Sequence, residues 1–71
     1  MKKDLKKMRN EANLSQYQLA RKLNVTPNTI HNWESGLSDP SLENAYNMAK
    51  MFGVTTDDIF LSLKTTNVVK Q

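Results

Sequence analysis

The chain of 71 residues has no cysteine and a single histidine, and these two shortages exclude several kinds of site. Without cysteine there are no disulfides and no thiolate ligands for a metal ion. His31 has no second histidine to pair with, and no CxxC spacing is present. We therefore expect neither a metal nor a cofactor. A small domain without disulfides or a structural metal relies for its stability on well-packed helices, on a partner subunit, or on both.

Long apolar runs are also missing. The first residues, MKKDLKKM, carry charges but no apolar segment behind them, which is unlike a signal peptide. No run approaches the roughly 20 residues that span a bilayer. We expect a cytoplasmic protein with no membrane partner. The length allows one small domain, and 38% hydrophobic with 24% charged residues is typical of a globular chain.

The net charge of +3 is unevenly placed along the chain. Residues 1–36 hold seven Lys and Arg against three Asp and Glu, whereas residues 37–71 hold three against four. A basic half favours a polyanionic partner. The alternative is that the lysines near the N-terminus only solvate a helix face.

Apolar spacing and capping residues predict five short helices without internal repeats. Ser15 with Gln18, and Thr55 with a later Asp58, have capping-box spacing, and Asn24 suits a left-handed turn. The predicted helices cover about 3–12, 16–23, 27–35 and 41–52, with a last one opening at 55. Helical spacing predicts the core residues, which are Leu5, Met8, Ala12, Leu19, Ala20, Leu23, Leu42, Ala45, Met48, Ala49, Phe52, Ile59 and Phe60, with Leu63 as a further candidate.

The predicted third helix has a packed side and a polar side. At ~100° per residue, Ile30 and Trp33 fall on one arc, which favours core packing of Trp33 over base stacking. The opposite arc holds short polar side chains, namely Asn28, His31, Asn32 and Ser35. A small soluble helix seldom exposes such a row unless something docks there. In a basic chain the leading candidate is the major groove of DNA.

The segment Gln16–Ser35, QYQLARKLNVTPNTIHNWES, resembles the helix-turn-helix of bacterial and phage repressors. LKKMRNEANLSQYQLA resembles the family's first two helices, and WESGLSDPSLENAYNMAKMFGVTTDDIF resembles its later part. The resemblance covers residues 3–60 and is to the xenobiotic-response-element family, the lambdoid-repressor-like domains. It implies an all-α, five-helix domain over 1–63 that binds double-stranded operator DNA, followed by a short tail or strand at 64–71. The residues that pack the two helices in that family correspond to Leu19, Ala20, Leu23, Val25, Ile30 and Trp33.

Base contacts are expected from the exposed arc of the third helix. The amides of Asn28 and Asn32 match the N6 donor and N7 acceptor of adenine. Pro27 offers only apolar contact to a thymine methyl, and helix initiation explains it equally well. His31 suits either a phosphate or a base acceptor.

The resemblance implies phosphate contacts for a second set of residues. Among them, Gln16 fixes the register of the protein on the DNA without reading its sequence. The alternative for Gln16 is a solvated surface side chain. Thr26 is first a helix cap, and Thr29 packs inward by default. Ser41 lies at the start of the fourth helix, where backbone N–H groups favour an anion. The full set is Gln16, Tyr17, Thr26, Thr29, Ser35 and Ser41.

The resemblance further implies a structural ion pair between Arg9 and Glu34, which orients the recognition helix. The sequence departs from the family at Asn24, where glycine is frequent. It departs again at Leu37 and Ser38, where many relatives carry Lys or Arg that touch phosphate.

We therefore expect a sequence-specific DNA-binding transcriptional regulator, a repressor of phage or mobile-element type, with no enzymatic activity and no small-molecule effector. The alternative is an antitoxin or anti-regulator that binds a protein through the fifth helix and the tail. A homodimer is expected, since one recognition helix covers too few base pairs to find an operator. Its predicted interface comprises Phe60, Leu61 and Leu63, with Thr65–Val69 pairing as a strand.

Overall fold

The structure is a computed structural model that describes residues 4–63. This part of the chain is all-α, as predicted, with five helices and no strand. They are α1 (Leu5–Glu11), α2 (Gln16–Leu23), α3 (Pro27–Ser35), α4 (Leu42–Phe52) and α5 (Thr56–Ser62). The predicted tail at 64–71, including the strand proposed at Thr65–Val69, lies outside the described residues.

Each helix is preceded by a capping residue, whose side chain accepts a hydrogen bond from a backbone N–H of the first turn. The predicted capping boxes at Ser15 and Thr55 are both present. Asp4 accepts from the backbone N–H of Lys7 at 2.8 Å, so α1 begins at Leu5, about two residues later than predicted. The five caps are Asp4, Ser15, Thr26, Ser41 and Thr55.

The turns depend on residues that tolerate a left-handed backbone. Asn24 has φ 60° after α2, which confirms the predicted sharp turn into α3. Gly36 ends α3 with φ 89°. Asn13 has φ 61° between α1 and α2, a second left-handed asparagine that the sequence analysis did not single out.

The core lies where α2 packs on α3 and α4 packs on α5, with α1 contacting α3 and α4. Ile30 is fully buried and Trp33 is 4% exposed, so the tryptophan is a core residue as predicted. The side of α3 that carries them is thereby fixed against the domain, and its other side faces outward. The core comprises Leu5, Met8, Leu19, Ala20, Leu23, Ile30, Trp33, Ala45, Met48, Ala49, Ile59 and Leu63.

The predicted burial of Leu42 is wrong, because this side chain is 70% exposed. Leu42 is the first residue of α4, where no preceding helical turn brings the side chain against the core. The buried residue at this end of the helix is instead Pro40.

The predicted apolar interface on α5 also needs correction. Leu63 is 5% exposed and belongs to the core, because the chain leaves α5 in an extended conformation at this residue. Phe60 is half-buried and packs against the core. Of the three residues predicted to form the interface, Leu61 alone is largely exposed, at 59%.

Candidate nucleic-acid interface

The outward side of α3 carries the polar row that the sequence predicted. Asn28, His31 and Ser35 are exposed and Asn32 is half-buried. Within the described residues, the side chains of Asn28, His31 and Asn32 make no hydrogen bond to the protein. The helix therefore presents two amides and an imidazole whose donors and acceptors are free for a ligand.

The start of α3 is built by a threonine pair around Pro27, which is exposed at the first helical position. The Thr26 Oγ1 accepts from the backbone N–H of Thr29 at 3.2 Å. The two hydroxyls lie 2.9 Å apart, with Thr29 half-buried. Both hydroxyls thus already take part in the helix cap. A phosphate contact at either threonine therefore has to use the hydrogen-bonding capacity that the cap leaves over.

Arg9 and Glu34 form a buried ion pair across the domain. The Arg9 Nε donates to Glu34 Oε2 at 2.6 Å, and the two side chains are only 7% and 6% exposed. The Arg9 Nη1 also donates to the backbone carbonyl of Leu14 at 2.7 Å. One guanidinium thereby ties α1 and the loop before α2 to the C-terminal end of α3.

Gln16 joins this network, which the sequence analysis did not foresee. Its Nε2 donates to Glu34 Oε1 at 2.9 Å, so the half-buried side chain is neither freely solvated nor wholly available to DNA. The two residues are far apart in the chain, and no local spacing signals their contact. The pairing becomes visible only once the start of α2 is packed beside the end of α3.

The remaining residues predicted to touch phosphate lie at helix ends or on the surface. Tyr17 is 59% exposed, and the guanidinium carbon of Arg21 lies 5.9 Å from its ring centroid. Their spacing of four residues on α2 made this contact predictable. The Ser35 Oγ donates to the backbone carbonyl of Asn32, and the Ser41 Oγ accepts from the backbone N–H of Asn44. For all of these residues the DNA contact stays a prediction.

The contents of residues 4–63 also bear on other kinds of site, through their acidic and histidine side chains, helix lengths and surface depressions. No group of three or more histidine or acidic side chains in this range is arranged to hold a metal ion. None of its helices has the length and apolar character needed to cross a membrane. An open depression of about 620 Å³ lies on the outer side of α2, lined by Leu14, Tyr17, Gln18, Arg21 and Lys22.

Comparisons with known proteins bear on the family to which this chain belongs. A helix-turn-helix family profile matches residues 5–59. An uncharacterized HTH-type transcriptional regulator of Methanocaldococcus jannaschii is 49% identical over 61 residues, which cover 86% of this chain and 92% of that protein. An uncharacterized HTH-type transcriptional regulator of Archaeoglobus fulgidus is 36% identical over 86% of each chain.

A third relative is much longer than this chain. The HTH-type transcriptional activator BcrR of Enterococcus faecalis is 40% identical over 55 residues, which cover 78% of this chain and only 27% of that protein. No solved structure gives a significant match. With the family profile spanning most of the described residues, the chain belongs to the helix-turn-helix family of the lambda-repressor-like type.

Proposed function

We propose that this protein regulates transcription by placing α3 in the major groove of a specific DNA sequence. The observation that carries the proposal is the outward row of polar side chains on α3, in which Asn28, His31 and Asn32 have no partner among the described residues. The buried Ile30 and Trp33 hold this row outward. The names of the relatives, which are HTH-type transcriptional regulators, support the same function.

In this arrangement two sets of contacts have different roles. Asn28 and Asn32 read base edges with their amides, and His31 and Pro27 add contacts beside them. The phosphate contacts from α2 and from the helix starts fix the register without carrying sequence information. The basic residues of α1 and α2 attract the duplex over a longer range.

Selection of bound duplexes from a random-sequence pool tests the proposal. We expect enrichment of one sequence, with two half-sites about 10 base pairs apart if a two-fold dimer binds. Recovery of no preferred sequence at moderate salt, where non-specific binding is weak, would contradict it.

We also propose repression as the direction of control. A domain that occupies a promoter blocks it by its presence alone and needs no additional contact with the transcription machinery. One relative is named an activator, so membership of the family does not by itself decide the direction. A reporter placed behind the selected sequence decides it, since expression falls on induction of a repressor and rises on induction of an activator.

The homodimer remains part of the proposal, but the residues proposed for its interface change. Burial of Leu63 and partial burial of Phe60 leave Leu61 as the main exposed apolar side chain of α5. The interface would therefore combine Leu61 with the tail. The same correction weakens the alternative of an antitoxin or anti-regulator, because that alternative used the same apolar surface to bind a protein.

A further inference from the structure

Glu34 lies between two partners, and both of its carboxylate oxygens are engaged. Oε2 accepts from Arg9 Nε at 2.6 Å, while Oε1 accepts from Arg9 Nη2 at 3.3 Å and from Gln16 Nε2 at 2.9 Å. The carboxylate therefore holds a guanidinium on one side and a neutral amide on the other. Charge balance requires only the guanidinium, which leaves the contact with Gln16 to be explained.

The contact with Glu34 fixes the orientation of the Gln16 amide. A carboxylate can only accept, so the amide must turn its nitrogen toward Glu34 and its oxygen away. One N–H is used in this bond. The second N–H has no partner among the described residues and remains free to donate to an anion.

The surroundings of that free N–H suit a phosphate oxygen. Gln16 is the first residue of α2, where the backbone N–H groups of Gln16 and Tyr17 have no acceptor within the described part of the chain. Such unpaired groups at a helix start favour negative charge. Arg9 neutralises Glu34, so the nearby carboxylate does not repel the phosphate.

We propose that Glu34, neutralised by Arg9, is a positioning residue that aims the Gln16 amide at a DNA phosphate. The proposal rests on the DNA-binding function proposed above and adds to it a role for a pair that is otherwise only structural. The contact is to phosphate, so it contributes to binding of every sequence alike.

A double-mutant cycle tests the proposal with a mixed-sequence duplex, for which no operator needs to be known. Replacing the pair by Arg9→Met with Glu34→Leu keeps the net charge and, as such replacements often do, keeps the fold. We expect this replacement to weaken binding about threefold to tenfold when Gln16 is present, the range of one hydrogen bond. In the Gln16→Ala background we expect almost no further loss.

Each result of the cycle has a distinct meaning. An equal loss in both backgrounds would show that the pair acts only through the general structure, and would overturn the proposal. So would a Gln16→Ala variant that binds as tightly as the unmodified chain. If the unmodified chain binds neither the mixed-sequence duplex at low salt nor any selected sequence, the proposed function fails first, and this inference fails with it.

A second measurement avoids any substitution and so does not depend on the variants folding. In the free protein, we expect one side-chain amide proton of Gln16 to exchange with water more slowly than those of Gln18. Gln18 is a matched control because its Oε1 accepts from the backbone N–H of Ser15, while its amide nitrogen has no partner among the described residues. Equal exchange rates would show that Glu34 does not hold the Gln16 amide.

Discussion

At the scale of single residues, the buried guanidinium of Arg9 contributes more to the fold than any exposed lysine. We expect Arg9→Ala to lower the free energy of unfolding by about 3–5 kcal/mol, because it leaves Glu34 as a buried charge without its partner. Lys6→Ala is the control, since Lys6 is an exposed cation on the same helix and its loss is expected to be nearly neutral. Thermal unfolding followed by circular dichroism compares the two. Similar melting temperatures would contradict the burial and pairing of Arg9.

The sequence predicted single residues well where helical spacing decides the environment. It assigned Ile30 and Trp33 to the core and placed Asn28 and His31 outside. It failed at Leu42, which lies in the first turn of a helix, and it left Leu63, just beyond the last turn of α5, open between the core and the interface. At both positions the local path of the chain decides burial. It did not predict the bond between Gln16 and Glu34, because that bond depends on packing between distant segments.

At the scale of elements, the capping residues explain why helices this short have defined starts. Isolated helices of this length are marginal in water, so each cap and each packed face contributes substantially to helix stability. Asn24 and Gly36 then end α2 and α3 with left-handed residues. These local signals are visible in the sequence, which is why the bounds of α2 and α3 were predicted correctly. The tail carries no such signal, and its predicted strand is untested.

The cap of the recognition helix provides a prediction at this scale. Thr26→Ala removes the acceptor for the Thr29 N–H and is expected to cost about 1 kcal/mol. For a domain of this size that lowers the melting temperature by roughly 4–8 °C. Ser35→Ala, at the other end of α3, serves as control, because the Ser35 hydroxyl only donates to a carbonyl of its own helix. If the two variants melt at the same temperature, the threonine does not cap α3.

At the scale of the whole molecule, the fold turns one face of α3 outward, and the proposed homodimer uses the C-terminal end. We expect truncation after Leu63 to give a monomer with nearly unchanged helical content and much weaker affinity for its operator. The cut must spare Leu63, because this residue belongs to the core. Light scattering measures the mass of both forms, free and on DNA. A full-length chain that is monomeric in both states would rule out the dimer, as would a truncated chain that binds its operator equally well.

The central claim is that the outward face of α3 reads DNA sequence, and Asn32→Ala tests it most directly. Affinities for the selected operator and for a mixed-sequence duplex are measured side by side, with Asn47→Ala as control, since Asn47 is equally half-buried but lies on α4. We expect Asn32→Ala to lose roughly 1–3 kcal/mol on the operator and little on the mixed duplex, because a bidentate contact to one base is removed. Equal losses on both duplexes, with folding intact, would show that Asn32 does not read sequence.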